Sequence, residues 1–343
     1  MAMKIEQKIY AAGGVLVLLL GGLWTVMKNA RDEAMTHSQV AAQAALPEIK
    51  LAADDADKIT KIQIHNAGKG EVVLEKQGDS WKLTKPVSYA ANQANVKSLL
   101  DNLKELRLKD SIDSSKAQYA TYDLEDEKAV HVLLYKDATK AFDLYFGKSG
   151  SRGQMTRLTD KDGVYVTSGY SSYLYTREVK DWRDRDILKF EDANVVSATI
   201  TNENGVFSFS KNDDKWTGTF KGKPIPGLEV EKVKDMLRSF KTFTADDFAD
   251  GKSPADTGLT KPATVVLTLK DEGGTIKINV GNTATGSNRY AQKEGNPTIF
   301  VVNSFAGDWA TAALSKFQVP QASKDGGSPT AKGPDKGPPK MMP

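Results

Sequence analysis

Two guanidinium groups at i, i+2, each followed by a carboxylate, make Arg183-Asp184-Arg185-Asp186 the first stretch of this sequence to weigh as chemistry. A guanidinium presents a planar fork of donors that fits a carboxylate or another anion bidentately. Arg183, Asp184, Arg185 and Asp186 are therefore the candidate partner-binding residues. The competing reading is a solvated helix end in which Asp181 and Arg185 pair at i, i+4, an exposed contact that contributes a few tenths of a kcal/mol. The carboxylates also raise glycoside hydrolysis, which needs two acids set apart in space, not in sequence. Asp184, Asp186, Asp246 and Asp247 are the first to test for it. Other sites fall away on spacing. Gly147-Lys148-Ser149-Gly150 has Phe142 where a phosphate-binding loop needs its first glycine. Asp160-Lys161-Asp162-Gly163 lacks the further carboxylates of a calcium loop and reads as a hairpin turn. The three histidines, His37, His65 and His131, are too scattered for a metal site, and no Gly-x-Ser-x-Gly elbow presents a serine to either of the last two. No catalytic, cofactor-binding or metal-binding residue is assigned.

The charged run is set in a sequence that occurs twice: DWRDRDILKF (Asp181 to Phe190) returns as DWATAALSKF (Asp308 to Phe317). The shared Trp and Phe fit a role in filling the core, and the shared Asp fits capping at a helix start. The charges of the first copy, replaced by Ala and Thr in the second, are not needed for that role.

The repetition extends through the elements that must carry these motifs. Ile62 and Ile64 open the first copy as an alternating strand, and Val196, Ala198 and Ile200 open the second. Val72 and Leu74 answer to Phe207 and Phe209, and Trp81 to Trp216. A helical stripe follows: Val96, Leu99, Leu100, Leu103 and Leu106 at i, i+3, i+4, i+7 and i+10, matched at one constant offset by Val233, Met236, Leu237, Phe240 and Phe243. A second meander aligns His131, Leu133 and Tyr135 with Val265, Leu267 and Leu269. In the same way Phe142, Leu144, Phe146 and Gly147 align with Ile276, Ile278, Val280 and Gly281, the glycines standing as strand-end turns. On that alignment His131 takes the place of an apolar residue and is expected to be a hydrogen-bonded, partly buried imidazole. The expected fold class is α+β: a transmembrane helix followed by two tandem repeats, each a curled, mostly antiparallel sheet with one long amphipathic helix.

The remaining segments give location. Residues 9–27 form an uncharged stretch, roughly 28 Å long as a helix, close to the ~30 Å of a bilayer's hydrocarbon core. Lys4, Lys8 and the amino terminus precede it and Lys28 and Arg31 follow, a slim excess of positive charge on the N-terminal side, so the short N-terminus is expected inside. The expected organisation is a cytoplasmic N-terminus (1–8), a transmembrane helix (9–27), a polar stem (28–57), repeat 1 (58–190), repeat 2 (191–317) and a disordered Pro/Lys/Gly tail (318–343). With 47 Lys and Arg against 44 Asp and Glu, the chain has no long-range positive field, which argues against nucleic acid as a partner. It has no cysteine, which removes thiol nucleophiles, thiolate metal sites, disulfides and a cysteine-linked lipid anchor.

The hairpin Gly78-Asp79-Ser80-Trp81-Lys82-Leu83, the amphipathic helix ending near Asp110, Phe146-Gly147-Lys148 and Arg183-Asp184-Arg185-Asp186-Ile187 resemble a bacterial domain-of-unknown-function family of membrane-anchored tandem-repeat proteins. Its members are often encoded beside gliding-motility-type ABC transporter components. The resemblance covers residues 9–317, and the second copy departs from it in lacking the Arg-Asp-Arg-Asp run. It implies no catalytic residue and no cofactor. It implies a single-pass protein of the cytoplasmic membrane with its bulk on the periplasmic side. There it would be a non-enzymatic accessory subunit of an envelope ABC-type transport complex, with a permease or related envelope protein as partner. The alternatives are an envelope-polymer enzyme with paired carboxylates and an extracytoplasmic substrate-binding protein.

Overall fold

The computed structural model describes residues 46–319, apart from 50, 52, 214, 271 and 272, together with Leu23. The chain divides into two compact units between Asp184 and Arg185. In unit 1 the strands are β1 (Lys61–Asn66), β2 (Gly70–Gln77), β3 (Ser80–Lys85), β4 (Tyr89–Ala90), β5 (Arg107–Asp113), β6 (Val130–Lys136), β7 (Thr139–Gly150), β8 (Gly153–Leu158) and β9 (Val164–Ser168). They form one sheet in the order β4-β3-β2-β1-β6-β7-β8-β9-β5. Helix α1 (Gln93–Glu105) joins β4 to β5, and the short helices α2 (Ser172–Tyr175) and α3 (Val179–Trp182) close the unit.

Unit 2 opens with β10 (Asp186–Lys189) and continues with β11 (Val195–Asn202), β12 (Gly205–Asn212), β13 (Lys215–Phe220) and β14 (Lys223–Pro224). After helix α4 (Val230–Lys241) come β15 (Thr242–Thr244), β16 (Asp247–Phe248), β17 (Ala263–Leu269), β18 (Thr275–Thr283), β19 (Arg289–Lys293), β20 (Phe300–Val302) and helix α5 (Ser304–Ala310). The sheet order β14-β13-β12-β11-β17-β18-β19-β20-β16 repeats that of unit 1 strand for strand. The difference is a separate two-stranded ribbon, in which β10 pairs with β15.

The expected fold class needs correction. The described residues are mostly antiparallel sheet, 45% strand and 20% helix. Among the described residues no helix is long and apolar enough to cross a membrane, and segment 9–27, apart from Leu23, lies outside them. The single-pass membrane description therefore has no counterpart in this structure. Nor is the helix of each repeat a long one: α1 has 13 residues and α4 has 12. The apolar stripe overstates their length because its last member lies past the helix end. Leu106 has extended backbone at the C-cap of α1, and Phe243 belongs to β15. The rest of the stripe, from Val96 to Leu103 and from Val233 to Phe240, is buried against the inner face of its sheet. Each such leucine or phenylalanine contributes about 1.5–3 kcal/mol on leaving water. Asn92 starts α1 by accepting from the Asn95 N–H at 3.0 Å, and Glu229 at the start of α4 makes no such side-chain bond.

Strand register fixes which residues of the two units correspond. Ile64 pairs with Val132, Val132 with Leu144 and Leu144 with Leu158. In unit 2 the same line is Ile200, Val265, Ile278 and Lys293. Val265 is therefore the counterpart of Val132, not of His131, and the expected alignment of β6 with β17 is one residue out. In a strand one residue is one face. His131 stands on the face away from the helix, where unit 2 has Thr264. The pattern Val130-His131-Val132-Leu133-Leu134-Tyr135 is apolar at both parities, so alternation alone does not set its phase.

Gly147 and Gly281 do correspond, but each lies within a strand and not at a turn. A methyl group on Gly147 would sit 2.2 Å from the Tyr122 carbonyl oxygen, and one on Gly281 would sit 2.1 Å from that of Thr257. Those oxygens accept from the next backbone N–H along each strand, Lys148 and Asn282, both at 2.8 Å. The crossing segment that supplies them covers part of the outer face in each unit. In unit 1 Leu124 packs on Met155, Val164 and Val166, and in unit 2 Leu259 packs with Ala249 and Ile299.

Part of the segment read as a polar stem is also core, since Ile49, Leu51 and Ala56 are buried in unit 1. Of the C-terminal tail, Gln318 and Val319 are described, and both bond to the backbone ahead of α4. The rest of the tail lies outside the described residues.

Candidate functional site

Alternation along β6, β7 and β8 turns Val132, Leu134, Phe142, Leu144 and Leu158 toward the helix. The residues between them face outward, and neighbouring strands bring five into one line: Glu71, His65, His131, Tyr145 and Arg157, contributed by β2, β1, β6, β7 and β8. The middle of this row is tightly built. The His131 ring lies on that of Tyr145 with centroids 3.7 Å apart and planes within 7°. The Arg157 guanidinium covers the tyrosine, its Cζ 3.3 Å from the ring centroid. Arg157 is held by donating from Nε to the Leu124 carbonyl at 2.6 Å and by its ion pair with Asp126, and Tyr119 stands 5.2 Å away on the same segment.

Asp143, two residues before Tyr145 on β7 and so on the same face, gathers three donors. It bonds His131 Nε2 at 2.7 Å, accepts from Thr159 Oγ1 at 2.6 Å and pairs with Lys140. Burial alone would raise its pKa, but these hydrogen bonds outweigh it and hold the carboxyl below its ordinary value. Burial dominates at His131 and lowers its pKa despite the adjacent carboxylate. Near neutral pH the pair is thus a neutral imidazole donating to a carboxylate. Burial also raises the Tyr145 phenol, which stays protonated.

Chemically this is a histidine–carboxylate dyad, and the hydroxyl beside it, that of Thr159, donates to the carboxylate. What the arrangement offers is a preorganised surface with an aromatic ring, an imidazole and a guanidinium fixed in one stack. A small cleft of ≈ 270 Å³ opens beside it, over Lys140, Asp143 and Thr159.

The residues singled out from the sequence are placed differently. Arg183 is 4% exposed, with its guanidinium 4.3 Å from the centre of the Tyr89 ring and its backbone bridged to Ala91. Asp184 is half-buried and donates its N–H to the Ala90 carbonyl. Arg185 opens unit 2, where its Nε donates to the Ala245 carbonyl at 2.6 Å and Nη2 lies 3.8 Å from Asp246. Asp186 is exposed at the start of β10. The unit boundary therefore splits the run in half. Helix α3 stops at Trp182, so Asp181 and Arg185 do not have helical i, i+4 spacing.

Asp181 and Asp308 lie inside their helices, and the caps are Glu178 and Asn303. Trp182 is core in unit 1, and Trp309 and Phe317 pack 5.5 Å apart in unit 2. Phe190, read as closing the first copy, donates its N–H to Lys241 in unit 2. Of the carboxylates, Asp246 accepts from Asn288 at 3.2 Å, and Asp247 accepts from the Phe248 N–H. His37 lies outside the described residues, which contain no cluster of metal-ligating side chains.

The row was hidden from the sequence because its members come from five strands. The signal that existed was weak: two histidines at outward parity in strands that turn out to be neighbours. A family model described as a domain of unknown function, DUF4340, matches residues 81–262, more than half of the chain. No curated protein and no solved structure matches.

Proposed function

The chain belongs to the DUF4340 family, and from that premise we propose that it is a non-enzymatic binding protein, an extracytoplasmic accessory subunit of an envelope ABC-type transport complex. The observation that carries the binding role is the difference between two copies of one topology. Where unit 1 has Glu71, His65, His131, Tyr145 and Arg157, the same register positions of unit 2 are Val206, Thr201, Thr264, Asn279 and Gln292. The sheet folds with either set, so the aromatic and charged set of unit 1 serves something besides folding. Tyrosine and arginine held rigidly at a surface are the side chains that most often anchor protein interfaces. The transport context is supported by the resemblance of the Trp81 hairpin and the 183–187 motif to chains encoded beside ABC transporter components.

The test is purification of the tagged full chain from its native envelope in mild detergent. A transporter ATPase or permease is expected in stoichiometric amount. Tyr145→Ala and Arg157→Ala should each reduce its recovery, while Asn279→Ala and Gln292→Ala should leave it unchanged. Recovery of the chain alone, or equal loss from changes in both units, would count against this assignment.

A further inference from the structure

On the helix side of unit 1's sheet, at the β7–β8 hairpin, lies a cleft of ≈ 260 Å³ with no charged residue in its lining. Its inner wall is Gln154 and Thr167, 4% and 1% exposed. The Gln154 amide donates to the Gly147 carbonyl at 2.7 Å and to that of Met155 at 3.0 Å, and its oxygen accepts from Ser149 at 2.6 Å. Thr167 donates to Thr156 at 2.7 Å, and Ser168 at the rim donates to the Arg107 carbonyl at 3.3 Å. The hydroxyl hydrogens of Ser149, Thr167 and Ser168 are thus all directed at protein acceptors, which leaves oxygen lone pairs for a ligand. Tyr170 supplies an aromatic wall, braced against Phe146 at 4.4 Å and Tyr175 at 4.7 Å. Burial raises its pKa, so its phenol remains a neutral donor.

Unit 2 shows how the same place looks when filled. The register trio Ser149, Gln154, Thr167 becomes Thr283, Arg289, Val302. The Arg289 side chain donates to the Gly281 carbonyl, as Gln154 does to that of Gly147. Its stem lies on α5 so closely that a methyl group on Gly307 would meet Cδ at 2.5 Å. The longer arginine occupies space that the glutamine of unit 1 leaves open.

We infer that this cleft binds a small, neutral, polyhydroxylated ligand, a single sugar-ring-sized unit. Lone pairs accept from hydroxyl donors, the Tyr170 phenol can donate to a hydroxyl oxygen, and no lining group carries a charge to neutralise an anion. The aromatic wall suits the C–H face of a ring, and the volume is just under the ~300 Å³ at which pockets for larger ligands begin. The site is separate from the outward row, so the proposed partner role and this one fail independently.

The test is ligand-observed saturation-transfer NMR on the full chain with glucose and N-acetylglucosamine as probes, and glucuronate and inorganic phosphate for comparison. The neutral sugars should give transfer, and the anions should bind roughly tenfold or more weakly, as expected when a buried polar group is left without its partner. Gln154→Arg, which installs the unit 2 residue, should abolish transfer. Ser172→Trp, at the exposed rim and away from the packed wall, should do the same if the arginine variant does not fold. Transfer that survives in a folded blocking variant, equal binding of phosphate, or no transfer from either neutral sugar at millimolar concentration would overturn the inference.

Discussion

Unit 1 and unit 2 are built from one strand order, one helix position and one strand-internal glycine, yet they differ on the outward row and at the hairpin cleft. Sameness in the apolar core and difference on the outward row separates two kinds of constraint. Residues that fill the inner face are fixed by volume and by exclusion of water, and they recur as apolar pairs such as Leu103 and Phe240. Outward residues tolerate either a charged and aromatic set or an uncharged set without aromatic rings, so the fold does not dictate their identity.

The shared interior yields the largest expected effects. Leu103→Ala and Phe240→Ala both remove fully buried side chains at corresponding helix positions, and each should cost its own unit about 2–5 kcal/mol. Hydrogen exchange resolved by unit would show which half loses protection. A loss of under about 1 kcal/mol at either position would break the correspondence of α1 with α4. Next come the glycines. Gly147→Ala and Gly281→Ala each drive a methyl group into a backbone carbonyl that cannot rotate away, for about 2–3 kcal/mol. Equal penalties in denaturant titrations would mark the contact as one device used twice.

The outward row should separate the units. Arg157→Ala removes the Leu124 hydrogen bond, the Asp126 pair and the cover over Tyr145, and should destabilise unit 1 by roughly 1–2 kcal/mol. Gln292→Ala, at the matching position, should fall within about 0.5 kcal/mol of the parent. Matching losses from the two changes in thermal melts would mean that these contacts do not hold Arg157 in place, and the preorganised stack would lose its support.

What was legible in the sequence follows the same division. The helical stripe and the repeated strands were readable because burial imposes a period, and Trp81 and Trp216 recur at 9% and 7% exposure. Helix length was not readable, since Leu106 and Phe243 continue the stripe in extended backbone. The β6 phase was lost because Leu133 and Tyr135 are apolar and yet face outward. The Arg183–Asp186 run looked like a site since its charges are adjacent, but a buried guanidinium over Tyr89 and a unit boundary after Asp184 disperse it. The outward row has no linear signature at all, because hydrogen-bonded strands assemble it across the sheet.

The smallest effect is also the most selective. Burial outweighs the help that Asp143 and Asp126 give to a charged imidazole, and Arg157 opposes that charge as well, so folding lowers the His131 pKa below 6.5. Above about pH 6.5 imidazole is neutral in both the folded and unfolded chain, and the full stability is present. As pH falls below that value the unfolded chain takes up the proton first, and stability drains away until the folded pKa is reached. Every histidine of the sequence precedes residue 185, so this titration has no equivalent in unit 2. Hydrogen exchange at pH 7.5 and pH 5.5 should therefore show lost protection in unit 1 around β6 and β7, and His131→Asn should remove most of that difference. Asp143→Asn should enlarge it, because the carboxylate is what keeps the protonated imidazole tolerable. A variant lacking Asp143 that proved less sensitive to acid would mean that the ion pair, and not burial, governs the stack.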